Sequence, residues 1–300
     1  MTAATFRVAF AGPHVTVQDG GRPGLMRFGV PASGPMDRKS FALANVALGN
    51  PAHQTGIEVS LGGLSLQCLS GAVTMAIAGG GFIVQIGERK LGAWAVITIC
   101  AGQTLTIRPG QWGSWTYLTF TGILQAKDWL GSQATHGSSG FGGGKIETGQ
   151  TLTITEARVV DNREGPMPCP VWARPRHLLR CVLGPQDRFF AAETIIAFTG
   201  SRFELTDAFD RMGLRLRGPF LVPGADSARF SANLGRRNCD RAAVRPPDHG
   251  RLSENCNRSL GRPRQLCPMP PARCRRIHGD LTGRSDHGYA FEPRPVHSLS

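Results

Sequence analysis

The sequence predicts a mainly β protein, a barrel or sandwich. Short β-prone runs recur along the first two hundred residues, glycine turns separate them, and one segment alone carries a complete set of helix signals. Many short strands at this spacing favour closed or layered antiparallel sheets over alternating βαβ units.

The runs, in order, are "FRVAF" (6–10), "IEVSL" (57–61), "LSLQC" (64–68), "VTMAIAG" (73–79), "FIVQI" (82–86) and "AVITI" (95–99). They continue with "TLTIRP" (104–109), "WTYLTF" (115–120), "TLTIT" (151–155), "LLRCVL" (178–183), "IIAF" (195–198), "RFELT" (202–206) and "LRLRG" (214–218). The hexapeptide "GQTLTI" occurs at 102–107 and again at 149–154, each copy a glycine turn feeding an alternating strand, and hints at two related barrels. The helix lies in "GPMDRKSFALANVALGNP". There Asp37 can cap the open N–H groups of the first turn, and Phe41, Ala44 and Leu48 fall on one face. Gly49 and Pro51 then end it. The stretch 158–176, polar and proline-rich, reads as a linker or crossover between a first unit (1–157) and a second (177–230).

A net charge of +13 invites a nucleic-acid reading, but +7 of it comes from residues 231–300, which hold thirteen arginines and no lysine. With four lysines in the whole chain, the body shows no mixed phosphate-binding patch. No apolar run reaches the length of a membrane span, and "MTAATFRVAF" lacks a basic region followed by a long apolar stretch. The expectation is a cytoplasmic protein without nucleic-acid or membrane partners. Cys68, Cys100, Cys169 and Cys181 form no CxxC pair and are expected as small buried apolar residues.

Several motifs fail on spacing. "SSGFGGGKIE" (138–147) has Ser139 where a phosphate loop needs its first glycine, and Ile146 where it needs a hydroxyl. "HGSSGFG" misses the nucleophile-elbow pattern by one position, which counts against a serine hydrolase. Cys267, Cys274, His278 and His287 lack the close cysteine pair of a zinc knuckle. The informative stretch is 15–37, "VTVQDGGRPGLMRFGVPASGPMD". It sets Gln18, Asp19, Arg22, Arg27 and Asp37 among glycines and prolines that fix backbone shape. Polar side chains on such a loop suit a binding site; equally, Asp19 and Arg22 can pair and tie the turn together.

"TVQDGGRPG", "GVPASGPMD", "LANVALGNP" and "IEVSLGG", continued by "WLGSQATHGSSGFGG", "CVLGPQ" and "DRMGLRLRGP", resemble the biotin-dependent carboxyltransferase family, also called allophanate hydrolase subunit 2. Its members include the C subunit of 5-oxoprolinase and part of the urea carboxylase carboxyltransferase domain. The resemblance covers residues 6 to about 220. It implies a cyclophilin-like β-barrel architecture in two subdomains with few short helices. It also implies a multi-subunit complex acting on a lactam or ureido substrate, above all ATP-dependent opening of 5-oxoproline. The implied partners are an allophanate hydrolase subunit 1-type protein and a lactam-utilisation-type subunit. ATP would be bound by or with those partners, and biotin, where used, would sit on another chain or domain. On the family's positions, Arg22 and Arg211 suit oxyanion or carboxylate clamps, and Asp19 and Glu58 suit orienting or proton-handling carboxylates. Gln18, Gly34 and Asp37 stand as substrate-binding positions. A second reading is a non-catalytic regulator that binds a subunit 1-type kinase inhibitor. This chain has Gln133 and His136 in "GSQATH" where members commonly carry Arg and Asp.

Members usually close with a segment like "QTTGGYPKI", which this chain lacks. Residues 231–300 contain only ten Leu, Ile, Val and Phe, too few to pack, and are expected to be a disordered tail. Each residue's last two bases, joined to the first base of the next, let "DHGRLSENCNR" (248–258) encode TTGGYPKIATV. The tail is therefore expected to be out of frame, with the shift between about 220 and 240, a truncated second subdomain and impaired activity.

Overall fold

The computed structural model describes residues 2–184, 187–210, 213–221, 242–244 and 275–279. The chain divides into two compact units, Met1–Pro175 with Pro247–Pro270, and Arg176–Pro246 with Pro271–Ser300.

In the first unit thirteen described strands form two sheets. The strands are β1 (Ala3–Ala11), β2 (Thr16–Gln18), β3 (Gly56–Ser60), β4 (Leu64–Ser70), β5 (Ala72–Gly79), β6 (Ile83–Ile86) and β7 (Arg89–Gly92). After them come β8 (Ala95–Cys100), β9 (Thr104–Arg108), β10 (Trp115–Phe120), β11 (Ile123–Leu124), β12 (Thr151–Thr155) and β13 (Gly165–Pro166). One sheet runs β11-β12-β1-β4-β9-β6-β7 and the other β13-β8-β5-β10-β3-β2, and every pairing within them is antiparallel. Alternate residues of both sheets meet in one core. Phe6, Val8, Leu64, Leu66, Leu105, Ile107, Leu152 and Ile154 come from the first sheet, and Val17, Ile57, Val59, Met75, Ile77, Ile97, Leu118 and Phe120 from the second. Period-two alternation puts these apolar residues on one face of each strand, and their burial is the main driving force for closing the sheets together.

The opposite face of the second sheet is covered by the helix α1 (Arg38–Ala47). The Asp37 carboxylate accepts from the Lys39 and Ser40 N–H groups at 3.1 and 3.0 Å, as its position in the sequence predicts. Ala44 and Leu48 pack with Ala76, Ala78, Trp94 and Val96, while Phe41 meets Tyr117 edge-on at 5.6 Å. Gly49, at φ +78°, ends the helix, and Arg163 donates to the exposed Ala47 carbonyl at 2.9 Å. A basic group there also suits the negative end of the helix dipole.

The stretch expected as a linker lies along this first unit. β13 pairs with β8, Met167 N–H donates to the Trp94 carbonyl at 2.7 Å, and Met167, Cys169 and Ala173 pack around Trp94. Its polar, proline-rich composition hid a few well-spaced apolar contacts. The two "GQTLTI" copies become β9 and β12, each entered through a positive-φ glycine (Gly102, Gly149). Both lie in the same sheet, so the repeat reflects one local solution used twice and not two related barrels. Of the four body cysteines, Cys68 alone is buried and Cys100 is exposed; burial pushes the Cys68 thiol up.

The second unit contains β14 (Leu178–Cys181), α2 (Ala192–Gly200), β15 (Arg202–Asp210), β16 (Gly213–Arg217), β17 (Ala242–Val244) and β18 (Arg275–Gly279), with sheet order β14-β18-β15-β16-β17. Phe203 and Leu216 form its small core with Cys181, Phe198, Leu205 and Leu221 around them. Here one expectation is corrected: "IIAF" lies inside α2, not in a strand. β-branched Ile195 and Ile196 argued locally for a strand. Helical register instead brings Phe198 edge-on against Phe203 at 5.7 Å, and that tertiary contact overrides propensity. Within the expected tail only β17 and β18, the latter including His278, are described; the rest of 231–300, including the four cysteines, His287 and "DHGRLSENCNR", lies outside the described residues. Among the described residues no helix is long and apolar enough to cross a membrane.

Candidate functional site

The loop that follows β2 carries four of the predicted site residues, Asp19, Arg22, Gly34 and Asp37, and its polar side chains bind mainly backbone. The Asp19 carboxylate accepts three hydrogen bonds. Gly21 N–H (2.8 Å) and the Ser132 hydroxyl (2.6 Å) reach one oxygen, and Gln133 N–H (2.6 Å) reaches the other. Arg22 is only 3 % exposed. Its Nε donates to the Trp129 carbonyl (3.1 Å) and Nη1 to the Ser33 hydroxyl (3.2 Å). Nη2 donates to the carbonyls of Ser132 (3.2 Å) and Ala134. The guanidinium also lies 4.7 Å from the centre of the Trp129 ring, a cation–π contact. Burial lowers its pKa, opposed by the charges of Asp19 and Asp128.

Asp19 and Arg22 therefore do tie the structure together, but not by bonding to each other. Each grips the segment 129–134, more than a hundred residues away, the carboxylate through its amide and hydroxyl donors and the guanidinium through its carbonyls. Charge-assisted bonds of this kind are the strong ones, and a rigid guanidinium fork can span several acceptors at once. Gly142 completes the cage. It sits at φ +92°, and a Cβ there would run into the Ala134 carbonyl oxygen and crowd Arg22 Nη2 at 3.2 Å. Gln133 locks the far side: Thr55 donates its hydroxyl to Oε1 at 2.5 Å, and Nε2 donates to the Ala126 carbonyl at 2.9 Å.

A second set of groups anchors the entry into α1. Glu58 on β3 and Tyr117 on β10 stand opposite each other in register, and both are fully buried. A Glu58 oxygen accepts Met36 N–H at 2.7 Å, and the Tyr117 oxygen accepts Asp37 N–H at 2.6 Å. Burial holds the Tyr117 phenol well above its ordinary pKa, so it stays protonated. Asp37 itself is occupied by the helix cap, with its second oxygen taking the Ser40 hydroxyl at 2.5 Å. Gly34, at φ +95°, turns the chain against the Asp19 and Gly20 carbonyls. Gln18 is fully buried; Nε2 donates to the Thr16 hydroxyl at 2.9 Å, while Oε1 has no partner among the described residues. Arg211 lies outside the described residues.

The structure thus gathers Asp19, Arg22 and Gly34 in one place, and Glu58 and Asp37 at the adjoining helix entry. Sequence reasoning missed Trp129, Ser132 and Tyr117. Tyr117, one of only two tyrosines in the chain, sat inside a strand that read as plain core. Trp129 is flanked by Arg22, by His136 (6.4 Å, stacked at 25°) and by Phe141 (4.8 Å). Among the described residues no group of three or more His, Cys, Asp and Glu could hold a metal ion.

Comparison with known proteins gives these residues a family context. Residues 28–250 match the model of the carboxyltransferase domain, subdomain A and B. The chain is 27 % identical over 231 residues to the C subunit of 5-oxoprolinase from Escherichia coli, covering 76 % of this chain and 73 % of that one. It is 30 % identical over 227 residues to a putative urea carboxylase of Emericella nidulans, covering 72 % of this chain but only 18 % of the fungal protein's length. The crystal structure of TTHA0988 in space group P6522 superposes with a TM-score of 0.62 at 30 % identity, over 73 % of this chain and 80 % of that one. With the family model matched across most of its length and a β-rich fold shared with a solved structure, the chain belongs to the carboxyltransferase domain (subdomain A and B) family.

Proposed function

We propose that this chain works as the C-type component of a multi-subunit enzyme that opens 5-oxoproline with ATP. One observation favours this over a urea-directed enzyme: the match spans 73 % of the E. coli 5-oxoprolinase component, whereas it spans 18 % of the fungal urea carboxylase, where it is one part of a much longer chain. In this reading the enzyme is completed by an allophanate hydrolase subunit 1-type protein and a lactam-utilisation-type protein. ATP is bound by or with them, and biotin, where used, is carried elsewhere. Asp19 and Arg22 hold the loop 129–134 in a fixed shape, and Glu58 and Tyr117 fix the start of α1, so the surface between these segments is preorganised for a planar amide. Arg22 has its donors committed to three main-chain carbonyls and the Ser33 hydroxyl, so in this reading it shapes the site.

The test is reconstitution. The chain is co-expressed with the two partner proteins, and ATP-dependent loss of 5-oxoproline is followed, with urea as the alternative substrate. Turnover above that of the partners alone supports the proposal. Turnover of urea in preference to 5-oxoproline, or none attributable to this chain, overturns it.

A further inference from the structure

The loop that failed the nucleophile-elbow pattern nevertheless assembles the parts of one. His136, Ser138 and Ser139 converge within a single turn closed by a Gly140 N–H to His136 carbonyl bond of 2.8 Å, with Gly140 at φ +73°. The Ser139 hydroxyl lies 2.6 Å from His136 Nδ1, and the Ser138 hydroxyl 3.1 Å from Nε2. A neutral imidazole has one donor and one acceptor nitrogen. With Nε2–H donating to Ser138, the Nδ1 lone pair faces the Ser139 O–H, the polarity that general-base activation requires. The ring lies beside Trp129, 6.4 Å away and tilted by 25°, and Phe141 N–H approaches the Ser139 oxygen at 3.4 Å, where it favours negative charge as the proton leaves. Burial and the Arg22 charge keep His136 below its usual pKa, so the imidazole is available as a base at neutral pH. Ser138, Ser139 and Phe141 are exposed, and Phe141 beside Trp129 offers an apolar platform next to the hydroxyl.

We propose that Ser139 is a nucleophile activated by His136 and oriented by Ser138, an acyl-accepting site for small uncharged esters, separate from the chemistry proposed above. In the first step Ser139 Oγ bonds to the acyl carbonyl carbon and its proton passes to His136 Nδ1. The ester C–O bond then breaks, and the leaving alkoxide takes that proton. Water, deprotonated by the same nitrogen, bonds to the acyl carbon; the acyl–Oγ bond breaks, the carboxylic acid leaves, and Ser139 Oγ takes the proton back from His136.

The purified full chain, without partner proteins, is treated with a fluorophosphonate, whose P–F bond a serine oxygen displaces with loss of fluoride. The adduct is located by peptide mass spectrometry, and hydrolysis of p-nitrophenyl acetate is followed in parallel. The expected result is one adduct, on Ser139, absent in Ser139→Ala, and formed about 100-fold more slowly in His136→Gln, the usual scale for losing a general base. Ser138→Ala slows it less. Circular dichroism of each variant separates loss of reactivity from loss of fold. No adduct on the wild-type chain overturns the proposal however the variants behave, as does an adduct on another serine or an unchanged rate in a folded His136→Gln.

Discussion

Replacing Arg22 by Met keeps a flexible, unbranched apolar stem and removes every donor. The structure predicts the consequence. Three main-chain carbonyls, of Trp129, Ser132 and Ala134, lose their charged donor, and the Ser33 hydroxyl loses an acceptor role it can partly recover by rotating. The Ala134 carbonyl is left unpaired, at roughly 1–3 kcal/mol, while the Trp129 and Ser132 carbonyls keep each other's N–H groups and lose only a charge-assisted bond each, so with relaxation of the loop a net loss of about 3–5 kcal/mol is expected. For a unit of this size each kcal/mol lowers the melting temperature by about 2–4 °C, giving a fall on the order of 10 °C. Thermal unfolding followed by circular dichroism and by tryptophan fluorescence measures it, since Trp129 loses its guanidinium neighbour in the same event. Asp19→Asn removes the charge from the other grip on the same segment. Because both residues act on 129–134, the double variant is expected to lose less than the sum of the single losses. An Arg22→Met chain that melts within about 2 °C of wild type, or strict additivity with Asp19→Asn, would falsify the structural role assigned to this pair. A folded variant that has lost turnover would then make Arg22 a substrate ligand.

Asp37→Ala removes the cap of α1 and is expected to cost about 1 kcal/mol, read from denaturant midpoints; a change confined to KM would instead favour the substrate-binding role. Tyr117→Phe deprives Asp37 N–H of its acceptor while preserving the contact with Phe41, so a loss of about 1 kcal/mol with normal secondary structure is expected. Gly142→Ala forces a side chain into a left-handed position against the Ala134 carbonyl. A loss of at least about 1–2 kcal/mol is expected, where Gly144→Ala, with open space around its Cβ, costs only the backbone term of about 1 kcal/mol. Equal melting temperatures for the two would contradict the packing described. Resequencing the locus tests the expected frame shift: an uninterrupted frame through codons 220–240 in close relatives, with the same downstream residues, disproves it.

What the sequence made legible was whatever is decided locally by side chains. Asp37, Phe41 and Gly49 announce α1 because cap, buried face and terminator all lie within one short stretch, and β9 and β12 follow from alternation alone. α2 was illegible because Ile195 and Ile196 speak for a strand, while the deciding contact, Phe198 on Phe203, depends on the tertiary packing. The site divides along the same line. Asp19 and Arg22 stood out as polar residues on a rigid turn, yet their partners could not, since Trp129, Ser132, Gln133 and Ala134 contribute chiefly main-chain groups that every residue type carries. Tyr117 is hidden for the same reason, as it holds the Asp37 amide, whereas Glu58, which holds the Met36 amide, was named through the family resemblance. The Ser139–His136 pair shows the converse. A pattern test asks for residues in a fixed linear order. Hydrogen bonding asks only that a turn return the hydroxyl to the imidazole, and here the glycine at 140 does so over a separation of three residues. Motif rules of fixed spacing therefore fail most readily in glycine-rich loops, where backbone freedom lets the same chemistry be built in more than one order.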